Sequence, residues 1–144
     1  MSIRTITPDT QKAKTLLSRA QEFTRSLQPV LKTAEVSFIL NAEYDTLHAL
    51  SEALLAFHGE KIKDKDHHKA LIQRISEKCP NIQSAKINIF QELRKIRNDI
   101  NYYGQKDKNT LEDFYQRNKE TIKELRQLLF EETRIINETR EGEK

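Results

Sequence analysis

Cationic, amide and aromatic side chains are concentrated between Arg94 and Gly104. A guanidinium group donates planar, bidentate hydrogen bonds to phosphate, an amide can bond a phosphate or a base, and a tyrosine ring can stack on an unpaired base. Together these residue types indicate a binding site for single-stranded RNA or for a nucleotide. The candidate binding residues are Arg94, Arg97, Asn98, Asn101 and Tyr102.

A single helix must position these side chains. The apolar spacing predicts a helix from about Gln83 to Tyr103, which Gly104 is placed to end. With 100° between successive residues, one side of this helix carries an apolar stripe that we expect to face the core. The stripe consists of Ile89, Leu93, Ile96, Ile100 and Tyr103.

The candidate binding residues form a polar edge beside this stripe. Measured from Leu93, they lie at about 40° for Arg97, 80° for Asn101, 100° for Arg94, 140° for Asn98 and 180° for Tyr102. We expect Arg97 to be the member of this edge closest to burial. The structural alternative is that Arg97 pairs with a carboxylate on another helix, while the amides bond backbone or water and the tyrosines pack against neighbours.

Four further segments of the chain have helical periodicity. The predicted helices run from Asp9 to Leu27, from Val30 to Phe57, from His67 to Lys78, and from Asn109 to about Glu138. Small residues are frequent in the second of these, which makes it the expected central helix. The pattern predicts one all-α domain over residues 1–144, an antiparallel bundle of about five helices.

Short local signals mark the ends of these helices. Gly59 is placed as a left-handed cap and Asp66 as an N-cap, while Asn109 with Glu112 resembles a capping box. Outside the helices we expect a charged loop and two loose tails. These segments are residues 60–66, 1–8 and 138–144.

Composition restricts the partners of the chain. The formal net charge is only +3, from 25 Lys and Arg against 22 Asp and Glu, so bulk charge cannot drive nucleic-acid binding and any anion site must be local. Cys79 is the only cysteine, which excludes an intrachain disulfide and suits a reducing cytosol. No run approaches the roughly 18 apolar residues that span a bilayer. We expect a soluble cytoplasmic protein with no membrane association.

The histidines do not have the spacing of a metal site. His48 and Glu52 are one helical turn apart, but His67 and His68 are adjacent, and adjacent residues point about 100° apart on a helix. We expect His67 and His68 to help start their helix. The sequence predicts no metal site, and nothing in it indicates a cofactor.

Three segments carry a resemblance to a known family. They are Arg97–Tyr102, Ala49–Leu55 leading to Gly59, and His67–Leu71. Together they resemble the HEPN domain (higher eukaryotes and prokaryotes nucleotide-binding), over most of the chain. The resemblance implies an all-α bundle that forms a two-fold homodimer, with the Arg-Asn helices of both subunits facing each other across a cleft.

The family motif is incomplete in this sequence. Many HEPN proteins are metal-independent endoribonucleases, and their motif has an Arg, a polar residue and, a few residues later, a His. Arg97 and Asn98 match the first two positions, but the window for the His holds Tyr102, Tyr103 and Gly104. Histidine exchanges protons near neutrality, whereas an unperturbed tyrosine has a pKa of about 10. The substitution therefore predicts a non-catalytic or weakly catalytic protein.

Three functions follow from these observations. The first is a homodimer that binds RNA or a nucleotide through the Arg-Asn helix, and the resemblance also allows a nucleotidyltransferase protein as its partner in a toxin–antitoxin-like system. The second is an endoribonuclease whose catalytic residues are Arg97 and Tyr102, the tyrosine standing in place of the usual His. The third is a purely structural dimerisation module whose Arg97 locks the interface.

Overall fold

The computed structural model of the chain describes the backbone of residues 2–5, 10–100 and 107–142. Within these ranges the protein is an all-α bundle of five helices with one small two-stranded sheet, which confirms the predicted fold class. No helix in the described ranges is long and apolar enough to cross a membrane. The helices are α1 (Thr10–Leu27), α2 (Val36–Phe57), α3 (His67–Lys78), α4 (Ser84–Asn98) and α5 (Lys108–Gly142).

Helix α2 is the centre of the bundle, as its small residues predict, because it packs against all four other helices. Tyr44, Leu50 and Ala53 are completely buried, and apolar residues occur on nearly every side of the helix. A helix that is apolar all round belongs in a core rather than at a surface. The charged residues of α2 pair with side chains of the same or surrounding helices, and Glu43 is the most buried of them.

A short antiparallel sheet closes one end of the bundle. Strand β1 (Ile3–Thr5) pairs with strand β2 (Glu60–Ile62), with Ile3 opposite Ile62. The expected loose tail over residues 1–8 was therefore wrong at Ile3–Thr5, and the expected charged loop over residues 60–66 was wrong at Glu60–Ile62. Ile62 is buried, which ties β2 to the core. Gly59 has a φ of 74°, so the predicted left-handed position after α2 is confirmed.

Several predicted helix ends and caps differ from the structure. Helix α2 starts at Val36 instead of Val30, because residues 28–34 form a 3₁₀ turn and further turns, and Glu35 is extended. Asp66 occupies the N-cap position of α3, but its side chain makes no capping hydrogen bond. Helix α5 extends to Gly142, beyond the expected tail at residue 138.

The cap of α5 is Asp107, not the predicted box of Asn109 and Glu112. The backbone N–H of Thr110 donates to Oδ1 of Asp107 over 2.8 Å, which satisfies a donor that the first turn leaves free. The helix therefore starts at Lys108, one residue before the predicted start.

Candidate functional site

The side of α4 that is buried differs from the predicted apolar stripe. It is rotated about the helix axis, toward the side that carries Arg94 and Arg97. Ile87 and Phe90 lie at about 120° and 60° on the same helical wheel, and both are buried, whereas Ile89 is only half-buried. Both guanidinium groups therefore project from the packed side of the helix. Arg94 is 9% exposed and more buried than Arg97, so the expectation that Arg97 is closest to burial was wrong.

Arg97 reaches across to α2 and is held there loosely. Its Nη2 lies 3.5 Å from Oδ1 of Asp45, and its Cζ lies 5.5 Å from the centre of the Tyr44 ring. The Nε atom is buried, and no hydrogen-bond partner for it occurs in the described part of the chain. The Arg97 side chain remains 22% exposed. The guanidinium group is therefore oriented by α2 while part of its surface still faces solvent.

Tyr44 joins α2 to the start of α3. Its hydroxyl lies 2.6 Å from Nδ1 of His68. Burial raises the pKa of the Tyr44 phenol, although the charges of Arg97 and Arg94 oppose the shift. The direction of this bond depends on the tautomer of His68: the Tyr44 O–H donates to Nδ1 when the ring proton is on Nε2, and the phenol oxygen accepts when the ring proton is on Nδ1.

His48 is stacked against the ring of His68. The two ring centres are 4.4 Å apart with an angle of 24° between the planes, and the ring of His67 is 5.9 Å from each of them. Nδ1 of His48 lies 2.9 Å from Oε1 of Glu52, one turn along α2. The Nε2 atom of His48 is buried without a hydrogen-bond partner among the residues with described side chains. We call this group the histidine seam; its members are Tyr44, Asp45, His48, Glu52, His67, His68 and Arg97.

The seam lowers the pKa of His68 and of Glu52. Burial is the largest cause for His68 and, with the charges of His48, Arg97 and His67, lowers its pKa to about 4. For Glu52, burial alone would raise the pKa, but the hydrogen bond and charge of His48 lower it. At neutral pH the seam thus holds a neutral His68, an ionised Glu52 and the permanent charge of Arg97.

The predicted binding residues are distributed differently. Arg94 donates from Nε to Oε1 of Gln91 within α4, over 2.9 Å, and is too buried to be the main contact of a large ligand. Asn98 is half-buried at the end of α4. Asn101 and Tyr102 lie outside the described residues, so their predicted roles stay predictions. Of the three predicted residues that the structure describes, only Arg97 is a member of the histidine seam.

Sequence reasoning missed the other members of the seam as a group. The one-turn spacing of His48 and Glu52 indicated that they could pair on one helix. The contact of His67 and His68 with His48 depends instead on the packing of α3 against α2 and α4. In the described part of the chain, no group of three or more His, Cys, Asp or Glu side chains has the geometry to hold a metal ion. The seam is therefore best interpreted as an arginine and three imidazoles beside two carboxylates.

A concave region lies between α1, α2 and α5. Its volume is about 570 Å³, and its lining includes Glu43 and Arg126. Nη1 of Arg126 donates to both carboxylate oxygens of Glu43, over 2.6 and 2.7 Å. The two charges satisfy each other, so this ion pair offers less to an added ligand than Arg97 does.

No protein family model, curated protein or solved structure matches this chain. Membership of the HEPN family stays a prediction that rests on the sequence motifs alone.

Proposed function

We propose that the protein binds phosphate groups of single-stranded RNA or of a nucleotide at the histidine seam, with Arg97 as the main contact. The observation that carries this proposal is the incomplete pairing of Arg97. A guanidinium fully engaged with a carboxylate has N···O distances of about 2.7–2.9 Å, whereas the Arg97–Asp45 distance is 3.5 Å. Donor capacity therefore remains on a cation that α2 already orients.

The electrostatics of the seam support an anionic ligand. Burial is the largest cause of the lowered pKa of His68, and the charges of His48, Arg97 and His67 lower it further. A field that disfavours an added proton favours an added negative charge at the same place. Phosphate is the anion whose oxygens best match a guanidinium fork.

The HEPN resemblance extends the proposal to a homodimer. In that arrangement the Arg-Asn helices of two subunits face one cleft, so each ligand would contact two copies of Arg97. A nucleotidyltransferase protein is the partner that the same resemblance favours. Light scattering coupled to size exclusion measures the first point directly, and a monomer at micromolar concentration would remove the dimer from the proposal.

The binding proposal is tested by fluorescence anisotropy with a labelled oligouridylate. We expect Arg97→Ala to weaken binding at least tenfold and to reduce the slope of log K against log salt by about 0.7 for each phosphate that the variant no longer neutralises. The matched control is Arg117→Ala, because Arg117 is an exposed α5 residue that pairs with Asp113 over 3.0 Å. Circular dichroism and thermal unfolding verify that both variants fold. Equal binding by the wild type and Arg97→Ala would refute the proposal.

One observation favours ribonuclease activity as a second candidate function. The seam supplies imidazoles in the neighbourhood of Arg97, although the motif position for His does not. His48 is oriented by Glu52 as a general base is oriented by a carboxylate. Incubation of the purified protein with mixed RNAs distinguishes the two functions. Cleavage that disappears in both Arg97→Ala and His48→Gln would replace binding by catalysis as the function.

A further inference from the structure

We infer that anion binding at the histidine seam is coupled to the uptake of one proton by His68. The inference rests on the proposed function and adds to it a pH dependence and a residue responsible for that dependence.

The pairing of charges in the seam identifies His68. Asp45 is the carboxylate nearest to Arg97, and Glu52 bonds His48. His68 has a phenol as its partner, and within the described ranges no carboxylate lies at ion-pair distance from it. A phosphate bound at Arg97 would supply the negative charge that His68 lacks.

Burial, together with the neighbouring ring of His48, keeps His68 neutral while the site is empty. Its ring lies 4.4 Å from the ring of His48, so a proton on both rings would place two cations in contact. Charged and titratable groups from three helices surround this pair. The charges that act on His68 are those of His48 and Glu52 on α2, His67 on α3 and Arg97 on α4. The charges that act on its partner Tyr44 also include Asp45, Asp66 and Arg94. A further anion bound at Arg97 would shift this balance toward protonation of His68.

The hydrogen bond to Tyr44 permits the protonation step. When neutral His68 carries its ring proton on Nε2, the Tyr44 O–H donates to Nδ1. A proton from solvent adds to Nδ1, and the phenol rotates about its C–O bond so that its oxygen accepts the new N–H. No covalent bond other than N–H is made. His68 changes from neutral to cationic, and this charge compensates that of the bound phosphate.

The test uses an oligouridylate with a 5′-hydroxyl, because its phosphodiesters keep one charge each, and neither they nor uracil titrate between pH 5 and 8. Calorimetry in buffers of different ionisation enthalpy measures the protons taken up on binding. We expect uptake of up to one proton per site. Affinity should rise as pH falls from 8 to 5, by at most tenfold per pH unit, which is the limit for one linked proton.

His68→Gln is the decisive variant and His58→Gln its matched control. The introduced amide could still bond Tyr44 but cannot take up the proton, whereas His58 follows α2 outside the seam. We expect His68→Gln to bind RNA without proton uptake and His58→Gln to behave as the wild type. NMR titration of the imidazole signals provides a second measurement, in which bound RNA raises the pKa of His68.

The outcomes separate the two proposals. Binding with no proton uptake, or with the same uptake in His68→Gln, overturns this inference and leaves the proposed function intact. Absence of RNA binding at every pH overturns the proposed function and the inference with it.

Discussion

The ion pair of Glu43 and Arg126 provides the sharpest test of how this bundle tolerates buried charge. The Glu43 side chain is 8% exposed and that of Arg126 is 12% exposed. Burial raises the pKa of Glu43 even though the charge and hydrogen bonds of Arg126 lower it. Removing the carboxylate charge by Glu43→Gln would leave a buried guanidinium with a neutral partner.

The expected loss of unfolding free energy in Glu43→Gln is large but below the maximum for buried ion pairs. Breaking a buried ion pair costs about 3–5 kcal/mol. Arg126 also lines the cavity of about 570 Å³, where water can solvate the unpaired charge, so we expect the lower end of this range. For a chain of 144 residues, each kcal/mol lowers Tm by about 3 °C, which gives a decrease of about 10 °C.

Urea unfolding followed by circular dichroism at pH 7 measures this cost. The matched control is Glu131→Gln, because Glu131 is 53% exposed and pairs with Arg134 on the same helix. Exposed pairs contribute about 0–1 kcal/mol. Equal losses of unfolding free energy for Glu43→Gln and Glu131→Gln would refute the reasoning.

The pH dependence adds an independent check. In Arg126→Met the buried carboxylate of Glu43 loses its counter-ion, which raises its pKa further above the unfolded value. The folded state then binds the proton more tightly than the unfolded state, so the free energy of unfolding should rise as pH falls from 7 to 5. Glu43→Gln contains no such group and should show no comparable recovery. The same pH trend in both variants would contradict the assigned cause.

Two further predictions concern the cap of α5 and the single thiol. Asp107→Ala should lower the unfolding free energy by about 1 kcal/mol, because the side chain of Asp107 accepts a hydrogen bond from the first turn of α5. Asn109→Ala should have almost no effect. Urea unfolding of both variants measures the difference. Cys79 is buried, and burial raises its pKa to about 11. A thiol reagent at pH 8 should therefore modify the native protein at least about a hundredfold more slowly than the urea-unfolded chain, and equal rates would show that the thiol is accessible.

The helices could be predicted because their signals are local. Helix α3 runs from His67 to Lys78 as its periodicity indicates, and α1 begins within one residue of the predicted start. The pairing of β1 with β2 joins segments far apart in sequence, each only three residues long. Neither segment has enough residues for an alternating pattern to be recognised.

The rotation of α4 shows where periodicity was insufficient. Two overlapping stripes exist on this helix, one through Ile89 and one through Ile87 and Phe90, and both contain Leu93. The structure buries the second stripe more deeply, because α4 packs against α2, α3 and α5 together. Arg94 becomes buried as a result. A helical wheel that included Phe90 among the core residues would have indicated that the side with Ile87 and Phe90 is the buried one.

The candidate site could be predicted only in part for a related reason. Arg97 was identified from residue type and motif, and the turn spacing of His48 and Glu52 is visible in the sequence. That His68 stacks on His48 follows from the angle at which α3 meets α2, which depends on the packing of the whole core. An adjacent His-His pair looks like a helix start, and His67 is indeed the first residue of α3.

Arg97 and Arg126 show why a ligand site is assigned to one arginine and not to the other. Both reach a carboxylate on α2, but Arg126 makes two bonds of 2.6 and 2.7 Å, whereas Arg97 makes one of 3.5 Å. A phosphate at Arg126 would have to replace two strong charge-assisted bonds. At Arg97 it would replace one weak bond and gain closer contacts than Asp45 provides. The difference in pairing therefore favours anion binding at the histidine seam over the cavity beside α5.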